Sequence, residues 1–199
     1  MPFGYIKDKL LDNFFTFKIV RFLFSGSRKT IKIVKRELSH KKDEKILDVG
    51  CGLGNYSQVT NGFYVGADLN KSFVKFASQK YGRHNKYFAI FDAERMCFKK
   101  KSFHKTLFMS MLHHFPNSVN TKILKEIKRV TREEVIILDL NPKTENLFIK
   151  FFYFMDRGHY IRTLEKQIFV INKSLKIKKI LSFISGTSLH SLFICQPKK

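Results

Sequence analysis

The stretch EKILDVGCGLGNYS, residues 44–57, decides the fold. Its apolar run Ile46-Leu47-Asp48-Val49 predicts a buried strand, which opens into three glycines spaced by two: Gly50, Gly52 and Gly54. Glycine lets a backbone turn tightly and approach another molecule closely. A strand that ends in a carboxylate, and then in a loop with almost no side chains, predicts a ligand lying against that backbone.

Outward from this stretch, strands and helices alternate. Strands are predicted at Phe63–Asp68, Tyr87–Phe91, Lys105–Ser110 and Glu134–Leu140. Between them come a helical turn at Asn55–Thr60, a helix at Lys71–Tyr81 capped by Asn70, and a helix near Val119–Val130. Apolar strands alternating with amphipathic helices imply a parallel sheet covered on both faces. Two helices, 5–24 and 27–40, precede the first strand and are separated by Ser25-Gly26-Ser27. After strand five come an aromatic helix, Asn146–Met155, and another at Thr163–Ile171. Strands at Leu175–Ile184 and Leu189–Gln196 close the chain as an antiparallel hairpin around Ser185-Gly186-Thr187.

Ligands of open α/β sheets sit beyond the carboxyl ends of the strands, where the topology switches. Three polar strand ends accompany the glycine loop: Asp68 after strand two, Asp92 after strand three and Ser110 after strand four. An acid at the end of strand two accepts ribose hydroxyls in nucleotide sites. The loop reads GxGxG, where a nicotinamide site would show GxGxxG. Asp48, two residues before the loop, would repel a pyrophosphate and suits an ammonium group. S-adenosylmethionine carries an ammonium, a ribose, an adenine and a sulfonium, which match the polar strand ends in order.

The chain resembles the class I S-adenosylmethionine-dependent methyltransferases, in particular those with a type-11 methyltransferase domain. LDVGCGLGNYS, VGADLN, FDAERMCF and SMLHHF match the family's motifs in the family's order. The resemblance implies a Rossmann-like, mainly parallel seven-stranded sheet with helices on both faces. Its last strand is inserted antiparallel between strands five and six. It further implies one methyltransferase domain over residues 1–199. That domain comprises an N-terminal helical cover (1–43), a cofactor-binding core (44–140), a helical insertion or lid after strand five (141–172) and a C-terminal hairpin (173–199). In the cofactor site it places Gly50, Cys51, Gly52 and Gly54 along the methionine moiety and Asp48 at its amino group. Asp68 takes the ribose, Leu69 lies beside the adenine, and Asp92 and Ala93 meet the adenine edge. Met109 and Ser110 flank the methionine and the sulfonium. The family's usual acid at the start of strand four is replaced here by His104-Lys105.

Methyl transfer is an in-line displacement at an already activated methyl group. Alignment contributes up to about 7–11 kcal/mol, and an acceptor that holds a proton needs a base. His113 and His114 are the candidate catalytic residues, with side chains pointing in different directions. Substrate-binding candidates follow the aromatic helix: Arg157, Tyr160 and Arg162, the arginines as clamps for a carboxylate or phosphate.

Composition bounds the acceptor. The 199 residues suit one domain. Lysine and arginine number 38 against 16 acids, a net charge of +22, which favours anionic partners. NFFTFKIVRFLF (13–24) and LFIKFFYFM (147–155) predict apolar, lysine-bearing helices suited to a greasy pocket entrance and to peripheral contact with an anionic membrane. The first is too short to span a bilayer. These features favour a small-molecule or lipid-like acceptor. The alternatives are an RNA or protein methyltransferase, for which no separate nucleic-acid module is visible, and a non-catalytic S-adenosylmethionine-binding protein. Three cysteines without CxxC or Cys/His spacing predict neither a disulfide framework nor a metal site, and a reducing cytoplasm. The first ten residues read as no signal peptide.

Overall fold

The computed structural model describes residues 27–39, 41, 43–142, 159–186 and 188–198. The helices expected at 5–24 and 146–155, and with them Arg157, lie outside the described residues. Seven strands form one sheet: β1 (Ile46–Val49), β2 (Tyr64–Asp68), β3 (Lys86–Ile90), β4 (Phe103–Met109), β5 (Thr131–Leu140), β6 (Leu175–Ser185) and β7 (Ser188–Pro197). Their order is β3-β2-β1-β4-β5-β7-β6. The first five pair in parallel, and β7 runs antiparallel to both β5 and β6. The chain reverses direction across the sheet between β1 and β4, so the crevice beyond those two strand ends is the expected ligand position.

Each face of the sheet has its own core. Helix α1 (Ser27–Leu38) covers one. Its Thr30, Val34 and Leu38 recur every fourth residue and are all buried, on one helical stripe. Val34 and Leu38 pack with Ile46, Tyr64, Leu107, Ile136 and Leu192. The other face carries α3 (Asn117–Val130), which buries Ile123, Leu124, Ile127 and Val130, and α4 (Leu164–Asn172), which buries Val170 and Ile171. Helix α2 (Lys71–Tyr81) starts where the Asn70 side chain accepts the amides of Ser72 and Phe73.

Strand four begins at Phe103 and strand five at Thr131, both earlier than the sequence suggests. Thr131 ends α3 by donating its hydroxyl to the Ile127 carbonyl at 2.6 Å, and pairs with Phe103 directly. A register shift between Phe103 and Lys105 absorbs the extra residue, and the exposed Arg132 and Glu133 hide the strand pattern. His104 and Lys105, the departure from the family pattern, serve the strand's edge. His104 Nδ1 accepts the Lys45 amide at 2.9 Å. Buried Lys105 donates to the carbonyls of Leu38 (2.5 Å) and Ser39 (3.2 Å) and lies 3.3 Å from Glu44. Burial raises the Glu134 carboxyl pKa, and Lys105 opposes the shift. The strand edge is thus held by one lysine satisfied on several sides, which ties α1 to β4.

Candidate active site

The glycine loop turns back on the sheet. Gly50, Gly52 and Gly54 all have positive φ, at 73°, 52° and 75°. The amides of Gly50 and Cys51 both donate to the Ala67 carbonyl, at 2.8 and 2.9 Å, which fixes the loop across the end of β2. A Cβ at Gly50 would lie 2.5 Å from Met111 Sδ, so only a hydrogen leaves room between loop and Met111. A Cβ at Gly54 would meet Ala77 and Phe88 at 2.8 and 2.9 Å. The first close approach lets Met111 pack against the loop, and the second lets α2 and β3 pack onto it. Cys51 is buried, with a thiol contact of 3.8 Å to the Gly52 carbonyl.

Asp68, at the end of β2, joins this loop to the next segment. Its Oδ2 accepts the Gly52 amide and its Oδ1 the Asn70 amide, each at 2.9 Å. Each carboxylate oxygen has a second lone pair, which suits the two hydroxyls of a ribose. Leu69 beside it is 64% exposed and Ile90, paired with Asp68 across β2 and β3, is 50% exposed. Asp92 Oδ1 accepts the Glu94 amide at 2.8 Å, which holds the turn after β3. Ala93 packs beneath, against the α3-side core. On the far side of the loop Met109 is buried, and Ser110 has a φ of 56° while donating its amide to the Leu138 carbonyl at 2.7 Å. A non-glycine residue held in that region costs of order 1–3 kcal/mol and concentrates at functional sites. These residues share the carboxyl edge of the sheet.

Asp48 stands apart from them. It is fully buried, and its Oδ2 accepts the Tyr64 hydroxyl at 2.5 Å. Burial, reinforced by Asp48, pushes the Tyr64 phenol well above its ordinary pKa, so Tyr64 remains a donor. Asp48, the residue expected at the amino group, is thus a buried carboxylate in β1, just before the glycine loop.

At the end of β4, His113 and His114 occupy a short 3-10 turn, Leu112–His114. Their rings lie 4.3 Å apart. His113 is 3% exposed, and its Nδ1 makes a short hydrogen bond to Asp139 Oδ1 near the end of β5. The His113 amide donates to Asp139 Oδ2 at 3.0 Å, and the Leu140 amide to Oδ1 at 2.7 Å. Three donors thus converge on one buried carboxylate. With Nδ1 holding the proton toward Asp139, the imidazole lone pair is on Nε2. Asp139 escaped the sequence reading, although it is a fourth carboxylate near a strand end, after 48, 68 and 92.

Arg162, expected as a substrate clamp, is buried beside the His113 turn. Its guanidinium is 8% exposed and donates to Asn117 Oδ1 and to the carbonyls of Leu112, Phe115 and Tyr160, at 2.7–2.8 Å. Burial lowers its basicity, and Asp139 acts in the opposite direction. Tyr160 is 44% exposed, with the guanidinium 5.8 Å from its ring centre.

A further buried histidine, His190, sits on β7 opposite Leu140 and stacks on Phe183. Neither ring nitrogen has a hydrogen-bond partner of good geometry among the described residues. Burial lowers its pKa. The Ser185 backbone and Asp139 oppose this, and His113 adds to it. A base whose folded pKa lies below its unfolded value, about 6.5, contributes stability that is complete above that pH and lost as pH falls below it. Wild type is therefore expected to lose stability relative to His190→Phe between pH 7.5 and 5, as read by urea melts. Parallel profiles for the two proteins contradict the assignment.

Among the described residues no group of three or more His, Cys, Asp or Glu is arranged to hold a metal ion. The sheet order and the strand-end loop give the chain the fold of the S-adenosylmethionine-dependent methyltransferases to which it is similar. Residues 47–138 match the methyltransferase domain family. The family's cofactor is S-adenosylmethionine. A curated relative is phthiotriol/phenolphthiotriol dimycocerosates methyltransferase 1 of Mycobacterium ulcerans, 29% identical over 128 residues. That match covers 60% of this chain and 46% of the relative, so it spans about half of the relative's length. Among solved structures, magnesium protoporphyrin IX methyltransferase of Synechocystis PCC 6803 superposes with a TM-score of 0.72 at 16% identity, covering 99% of this chain and 95% of that one. An S-adenosylmethionine-dependent methyltransferase of Methanosarcina mazei superposes with a TM-score of 0.67 at 17% identity, covering 79% and 94%.

Proposed function

We propose that the protein transfers a methyl group from S-adenosylmethionine to a small-molecule or lipid-like acceptor, with His113 as general base. The observation that carries this reading is the joined site at the ends of β1 and β2. One bond, from the Gly52 amide to Asp68, locks the glycine cradle to the ribose acceptor. S-adenosylmethionine, when bound, supplies an activated methyl group on sulfur. Gly50, Gly52 and Gly54 admit its methionine part, Asp68 accepts the ribose hydroxyls, and Leu69, Asp92 and Ala93 border the adenine. Asp48 sets a negative field behind the loop, and Met109 and Ser110 bound the reactive end. His113 Nε2 takes the proton from the acceptor's attacking atom, and Asp139 stabilises the resulting imidazolium.

Asp68→Ala is expected to weaken S-adenosylhomocysteine binding by about tenfold to 150-fold, the cost of losing hydrogen bonds to a charged acceptor. Asp68→Asn keeps the shape and is expected to fall between it and wild type. Calorimetry reads both, and unchanged affinity in Asp68→Ala contradicts the ribose assignment.

The lipid-like acceptor draws support from the name of the mycobacterial relative and from the apolar sequences 13–24 and 147–155. No described helix is long and apolar enough to cross a membrane. Tritium from methyl-labelled S-adenosylmethionine is expected in the organic phase when lipid extract is offered, and not in total RNA. Label in RNA favours the second reading, for which the +22 charge speaks. Cofactor binding without transfer to either favours a non-catalytic role.

A further inference from the structure

We propose that Arg162 is a positioning residue, holding the Leu112–Phe115 turn so that the His113 imidazole stays in register with Asp139. The inference rests on the reading of His113 as the base. The turn has no regular structure beyond three residues of 3-10 helix, so its carbonyls need partners from elsewhere. Arg162 supplies two: Nη1 donates to Leu112 at 2.7 Å and Nη2 to Phe115 at 2.7 Å. The Tyr160 amide takes the carbonyl between them, that of His113, at 3.0 Å. Asn120 reinforces the same Leu112 and Phe115 carbonyls from α3, both at 2.9 Å.

The arginine is itself anchored. Its Nε donates to Asn117 Oδ1 at 2.8 Å, and its own carbonyl accepts buried Gln167 Nε2 at 2.8 Å. Residues 160–162 therefore grip the His113 turn at three carbonyls, those of Leu112, His113 and Phe115, while Asp139 grips it from β5. A neutral amide, as in Asn120, could satisfy such carbonyls without the cost of burying a charge. The guanidinium adds a fixed planar fork and a positive charge near Asp139, which also faces His113. The other titratable groups about His113 are His114, whose ring lies tilted against it, Tyr160 and His190. The guanidinium donors go to the turn, Asn117 and Tyr160, so Arg162 acts on the acceptor through His113.

The test needs no acceptor. The proton between His113 Nδ1 and Asp139 is expected to give a far-downfield NMR resonance, assigned by its absence in His113→Gln. In Arg162→Met that resonance is expected to shift, with solvent exchange at least about tenfold faster. S-adenosylhomocysteine affinity should change less than the exchange rate does, because the Arg162 guanidinium donates to the turn, to Asn117 and to Tyr160, and not to Asp68 or the glycine loop. Arg162→Lys keeps the charge without the fork and is expected to restore the resonance only in part. An unchanged shift and exchange rate in Arg162→Met overturns the proposal. If that variant does not fold, Asn117→Ala, which removes one exposed acceptor of the clasp, is expected to move the resonance in the same direction by less; no movement there overturns the proposal equally. Failure of His113 as a base would appear separately, as unimpaired turnover in His113→Gln.

Discussion

Gly50→Val is expected to lose S-adenosylhomocysteine binding by at least about 100-fold while keeping the circular dichroism of the folded protein. Two effects add. Gly50 sits at a φ of 73°, which a β-branched residue adopts only as an outlier. Its Cβ would also lie 2.5 Å from Met111 Sδ and 2.6 Å from Met111 Cε. The methionine side chain must move to make room for it. Of the order of 1–3 kcal/mol of backbone strain falls on the same loop and disturbs the two amides held by Ala67. Gly50→Ala carries the smaller Cβ alone and is expected to lie between valine and wild type. Normal binding by Gly50→Val means that the glycine serves the turn and not the ligand.

Asp139→Ala is expected to lower methyl transfer by about 10²–10⁴-fold, the range of general acid–base contributions, with cofactor affinity little changed. The carboxylate accepts the His113 amide, the Leu140 amide and the His113 ring. Its removal leaves the imidazole without the group that fixes its tautomer and steadies its charge. Asp139→Asn keeps the volume but presents an amide to Nδ1, so it is expected to recover little. The rate is measured by tritium transfer to lipid extract at saturating cofactor. A variant within about threefold of wild type removes the base assignment.

The architecture was legible because its signals are local. The run Ile46–Val49 before a glycine loop, the Asn70 cap and the serine-glycine turn before β7 each announce themselves within a few residues. Even the insertion of β7 between β5 and β6, which followed from the family resemblance, is present in the sheet order. Element starts were less legible at β4 and β5, where a register shift and the exposed pair Arg132-Glu133 break the alternation. The candidate site was legible only in part. Acids at 48, 68 and 92 stand out at the ends of apolar runs, but nothing local says that Asp48 turns inward to Tyr64 while Asp68 stays half-exposed. His113 and Asp139 are 26 residues apart, and Arg162 lies 50 residues from the carbonyl of Leu112 that it holds. Such partnerships arise from pairing β4 with β5 and from packing the segment before α4 against the turn. The sequence around Arg162 therefore says nothing of the carbonyls that its guanidinium meets.

The central claim is that the carboxyl edge of β1, β2 and β4 binds S-adenosylmethionine. Calorimetry of the wild-type protein with S-adenosylhomocysteine tests it most directly, with a thermal melt on the same samples. The account predicts saturable binding at one site, and a melting temperature that rises with ligand, because a ligand at 100 times its Kd stabilises the native state by about 2.7 kcal/mol. No heat and no thermal shift at millimolar ligand, with folded protein, would contradict it.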